Sequence, residues 1–104
     1  MANPQRGEID AEIGGESKTL CLTLGALAEL EGRLQADDLN GLVERFAEGR
    51  VSARDLTAIL GAGLRGAGNA ITDDDLARLS IEGGLRGAAQ ICVRLLKATF
   101  GEPE

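Results

Sequence analysis

The chain has 104 residues, a formal net charge of −6, no histidine, no tyrosine or tryptophan and two phenylalanines. That length provides for one hydrophobic core, and a core this poor in aromatics has to be assembled from Leu and Ala at close helix spacing. The acid excess disfavours nucleic acid, whose phosphates call for a concentrated basic surface. No apolar run approaches the roughly 20 residues of a membrane span, and the lack of His removes metal triads and Ser-His-Asp constellations.

Residues 1–6 lead into polar sequence rather than a signal-peptide hydrophobic stretch, so the expected location is cytoplasmic. From residue 7 to 13 the chain alternates, with Ile9, Ala11 and Ile13 on one side and Glu8, Asp10 and Glu12 on the other, the period of a half-buried strand. Gly14-Gly15-Glu16 predicts a turn, and Lys18, Leu20, Leu22 and Leu24 resume the alternation, so residues 7–24 read as a β-hairpin. The three acids of the first strand discourage its edge from pairing with other chains.

Leu24, Leu27, Leu30 and Leu34 then recur at helical steps. Asp37 and Asp38 offer caps for a second helix carrying Leu39, Leu42, Val43 and Phe46 and closed by Gly49. Ser52 caps a third helix with a stripe of Leu56, Ile59, Leu60 and Leu64, expected to end inside the glycine-rich stretch 61–69 because each helical Gly costs about 1 kcal/mol. Thr72 and Asp73-Asp74-Asp75 start a fourth helix, which Gly83-Gly84 breaks. The last helix places Leu85, Ala88, Cys92, Leu95, Leu96 and Thr99 along one side and Arg86, Arg94 and Lys97 on the other, before a solvated tail at 101–104. The expected fold is α+β and mainly α, a single domain over residues 1–104 with an N-terminal β-hairpin (7–24) and about five short helices (25–100).

Nothing in this pattern supplies catalysis. Gly61-Ala62-Gly63-Leu64-Arg65-Gly66 spells the dinucleotide fingerprint G-x-G-x-x-G, but at the end of a helix and outside a βαβ unit. The Asp73-Asp74-Asp75 run lacks the alternate spacing of a calcium loop, and its acids suit the positive end of a helix. Cys21 and Cys92, far apart and without a Cys-x-x-Cys pattern, read as small apolar side chains in reduced form. No cofactor, no metal and no enzymatic activity are expected.

Several blocks carry a resemblance: Asn3-Pro4-Gln5-Arg6-Gly7-Glu8, the run from Leu22 to Glu31, residues 52–60 leading into Gly61-Ala62-Gly63-Leu64-Arg65-Gly66, and the closing Ala98-Thr99-Phe100-Gly101. Together they resemble the tail assembly chaperone family of gene transfer agents, phage-like particles encoded by alphaproteobacteria. The resemblance implies a cytoplasmic helper that binds the helix-prone tape-measure protein, assists tail-tube subunits to polymerise around it and is left out of the finished particle. In related phages the family is often made as a short and a frameshift-extended form. The alternative reading is a structural tail or connector component of the particle. A homo-oligomer is compatible with either.

For a helix-in-groove binder, the apolar candidates are Leu64 and Ile71, with Arg65 and Asn69 beside them. The stretch 61–69 is either a hinge between helices or a site of close helix packing. The cations Arg86, Arg94 and Lys97 are either a docking face for an acidic partner or an offset to the carboxylate excess at the negative end of their helix.

Overall fold

The computed structural model describes residues 7–34, 52–81 and 83–100. Its elements are β1 (Glu8–Ile13), β2 (Glu16–Cys21), α1 (Leu24–Leu34), α2 (Ala53–Gly66), α3 (Asp73–Ala77) and α4 (Gly84–Phe100). The architecture is α+β and mainly α, as the sequence predicts. The expected helix over residues 37–49 and the tail lie outside the described residues.

β1 and β2 pair antiparallel from Ile13↔Glu16 to Glu8↔Cys21. Gly14 and Gly15 turn the chain with φ of +65° and +81°, the left-handed conformation that a two-residue loop of type I′ requires at both positions. Ile9, Ala11, Ile13 and Leu20 are buried, so the alternation does set the core face. The second strand is shorter than predicted. Leu22 is buried in the connection, but the Thr23 hydroxyl accepts from the Ala26 amide at 3.1 Å and turns the backbone into α1. Leu24, expected to serve strand and helix stripe alike, is instead 86% exposed, and Ala26 and Leu30 carry the buried face of α1.

α2 is the central element, packed against β2, α1, α3 and α4. The Ser52 hydroxyl caps it by accepting from the Asp55 amide at 3.0 Å, and the predicted stripe of Leu56, Ile59, Leu60 and Leu64 is buried throughout. The helix does end inside the glycine-rich stretch, but only after running through Gly61, Gly63 and Gly66. The reason is close packing. A Cβ on Gly63 would stand 2.7 Å from Leu95 Cδ2 and 3.3 Å from Leu20, and one on Gly66 would overlap the Cys21 carbonyl oxygen. These glycines let α2 lie against β2 and α4, and the contacts so gained offset their poor helix propensity. The geometry therefore favours packing over a hinge.

α3 begins with a capping box between Thr72 and Asp75. After it the chain returns to the hairpin, with the Gly14 amide donating to the Ser80 carbonyl at 2.8 Å and an isolated antiparallel bridge joining Ile13 to Ile81. Sequence reading missed this bridge. In α4 the buried side is Ala88, Ile91, Cys92, Leu95 and Leu96. Ile91 joins the expected set, while Leu85, one residue into the helix and before its first contact with the core, is 56% exposed.

Candidate interaction surface

The candidate residues do not form one patch. Leu64 is fully buried at the centre of the core, so it presents no surface to a partner. This corrects its assignment as a binding anchor: α2 continues past it, which turns its side chain inward. Asn69 is also committed to the fold. Its side-chain amide donates to the carbonyls of Thr19 and Leu64, both at 3.1 Å, clasping the end of α2 to the outer edge of β2. Ile71 is half-buried and packs against the core.

Arg65 holds three segments together. Its guanidinium donates to Glu29 of α1 at 2.9 Å, to Asp73 of α3 at 3.0 Å and to the Ile71 carbonyl at 3.2 Å. Partial burial by itself lowers its pKa, but the hydrogen bonds and charges of Asp73 and Glu29 outweigh that and hold it above the usual arginine value. Arg65 is a clamp, and Asp73 is one of its jaws. With Asp75 in the capping box, two of the three consecutive acids have local structural partners.

The dinucleotide-like letters fall inside α2, where the open sides of Gly63 and Gly66 meet protein atoms, so they offer no turn to cradle a phosphate. Among the described residues no group of three or more His, Cys, Asp or Glu stands together as a metal site, and no polar or charged residue is buried.

The two cysteines are free thiols in different settings, Cys21 half-buried and Cys92 fully buried with its thiol 4.0 Å from the Leu56 carbonyl oxygen. Burial pushes the Cys92 thiol up to about 12 from an ordinary 9.0. Because the folded pKa is the higher one, Cys92 favours the fold while both states are protonated, and that contribution is lost as pH rises from 9.0 towards about 12. The urea midpoint of the native chain should fall between about pH 8 and pH 10.5 more steeply than that of Cys92→Ala. Equal slopes would mean that the thiolate is tolerated in the core.

The cations of α4 lie differently from Arg65. Arg86, Arg94 and Lys97 are exposed, and Arg94 donates to the backbone carbonyl of Asp10 at 3.0 Å, bringing α4 alongside the outer edge of β1. Between them runs a groove of about 460 Å³. Ala11 and Glu12 form its strand side, Arg86, Gln90 and Arg94 its helix side, and Gly83 and Gly87 its small-residue end. A second, smaller groove of about 230 Å³ is apolar, lined by Leu56, Leu60, Leu76, Leu79, Ile81 and the exposed Leu85, among others.

The described residues form a helical body laid on a two-stranded ribbon, with a packed apolar core and shallow surface grooves. A family model described as "Phage tail tube protein, GTA-gp10" matches residues 6–102, nearly the whole chain, and the chain belongs to that family. No curated protein and no solved structure matches it. The family bears out the gene transfer agent and phage tail part of the resemblance drawn from the sequence. It does not carry the chaperone assignment, and its description fits the structural alternative better.

Proposed function

We propose that the chain works in the tail of a phage-like gene transfer agent particle, by protein–protein contact and without catalysis, as a structural component built into the tail. The observation that carries this reading is the family match, whose description is that of a tail tube protein. The buried set among the described residues is all apolar, which supports it as well, since none of those residues forms a buried ionisable pair of the kind active sites use. Its partners are then neighbouring tail proteins.

A specific observation keeps the chaperone reading beside it. Among the described residues the exposed large hydrophobics are Leu24 and Leu85, whereas permanent subunit interfaces are large and more apolar than the rest of a surface. A mostly polar surface suits a helper that binds the tape-measure protein transiently in the cytoplasm and leaves before the particle is complete. Quantitative mass spectrometry of purified particles separates the two. The structural reading expects this chain in fixed ratio to the other tail proteins. Its absence from particles, together with co-purification of the tape-measure protein from lysate, would overturn that reading in favour of the chaperone.

A further inference from the structure

We infer that the groove between β1 and α4 binds an extended acidic segment of a partner protein, one with carboxylates at alternate positions. The inference rests on the reading that the chain acts by gripping other proteins, and it names the chemistry of what is gripped.

Charge is the first argument. In a chain of net charge −6, Arg86 and Arg94 stand two turns apart on the wall of one groove, and Lys97 continues their exposed row one turn further. Among the described residues the acid lining that groove is Glu12, while the Asp10 carboxylate on the same strand accepts from the Thr19 hydroxyl at 2.9 Å. Charge offset at the C-terminal end of α4 accounts for Lys97, but not for Arg86, which lies in the first turn, where the helix dipole disfavours a cation. Arg94 is already oriented by its bond to the Asp10 carbonyl, which uses one nitrogen of a planar fork of five N–H donors.

Shape is the second. From Arg86 to Arg94 the axis of α4 advances about 12 Å, the length of about four extended residues, and the groove runs along it beside β1. A helix with side chains is about 10–12 Å across, whereas an extended chain laid along the groove covers that length with a narrow profile. Gly83 and Gly87 leave room for its backbone at one end. Spacing is the third. The sequence Arg86, Gln90, Arg94 places a polar side chain about every 6 Å, and alternate residues of a strand repeat at about 6.6 Å. A strand bearing Glu or Asp at every second position would meet Arg86, Gln90 and Arg94 in turn, held by α4 and not by pairing with β1, whose acids discourage added strands.

The test uses the full-length chain and a fluorescein-labelled ten-residue peptide with Glu alternating with Ser, titrated by fluorescence anisotropy at low ionic strength. Saturable binding is expected, weakened at least about tenfold by Arg86→Glu and tightened about twofold by Glu12→Gln, with Arg78→Ala, just past the end of α3, as an unaffected control. Arg86→Glu is the deciding variant because Arg86 is exposed at the start of α4 and leaves the Arg94 to Asp10 bond intact; circular dichroism checks its fold. No saturable binding, equal binding by Arg86→Glu, or equal binding of a ten-nucleotide thymidine oligomer would each overturn the inference. Particle composition is read separately, so failure here and failure of the tail reading are distinguishable.

Discussion

Replacing Gly66 by alanine is expected to destabilise the fold, while the same replacement at Gly32 is expected to stabilise it. Both glycines are helical, and Ala gains about 1 kcal/mol over Gly in a helix interior and less at a last helical residue such as Gly66. At Gly32 in α1 a new Cβ meets nothing within 4 Å among the described residues, so that gain is realised and the melting temperature should rise by about 4–8 °C. At Gly66 the Cβ would overlap the carbonyl oxygen of Cys21. The obstacle is backbone, which cannot rotate aside as a side chain can. Relief requires the end of α2 to move off β2, which also pulls the Asn69 amide from the Thr19 carbonyl. Overpacking of this kind costs roughly 1–3 kcal/mol, and the lost Asn69 bond adds about 1 kcal/mol, so the net change is a loss despite better propensity. Urea titrations of the two variants should therefore shift in opposite directions. A parallel shift would mean that α2 and β2 are not in the contact described.

Gly66 also marks where the sequence stops being a sufficient guide. The hairpin was legible because alternate residues of a strand face opposite sides, and Ile9, Ala11 and Ile13 against Glu8, Asp10 and Glu12 leave one choice of core face. The start of α2 was legible because Ser52 and Asp55 stand at capping spacing ahead of a regular Leu and Ile stripe. Both signals are local. Helix propensity rightly places the end of α2 inside 61–69, but it counts only the cost of Gly61 and Gly63 and carries no sign that the helix runs through them to Gly66, because the contacts that Gly63 and Gly66 permit lie on Leu20, Cys21 and Leu95, far away in the chain. The Arg65 clamp depends on Glu29, 36 residues earlier, and the Arg94 bond to the Asp10 carbonyl spans 84 residues. Helical and strand periods contain no information about such pairings. The α4 cations could be named from the sequence, but the groove that makes them a site could not, because its opposite wall is β1.

Leu64→Ala is expected to be the most damaging of these substitutions, and to act on stability rather than on recognition. Leu64 is 0% exposed and lies where α2, packed against β2, α3 and α4, brings its stripe into the core. Truncating such a side chain removes its transfer free energy and leaves a cavity that the surroundings only partly fill, at a cost of about 2–5 kcal/mol. For a small domain whose whole stability is typically about 5–15 kcal/mol, that is a large share, and the urea midpoint should fall accordingly. An exposed anchor for a partner would behave in the opposite way. Its loss would leave the midpoint unchanged and weaken binding, since removing a solvated Leu creates no cavity. Below its melting temperature the folded Leu64→Ala protein should bind the alternating Glu peptide as the native chain does, because Arg86, Gln90 and Arg94 project from α4 into a groove that Leu64 does not line. An unchanged midpoint would place Leu64 at the surface and undo the assignment of α2 as the centre of the core.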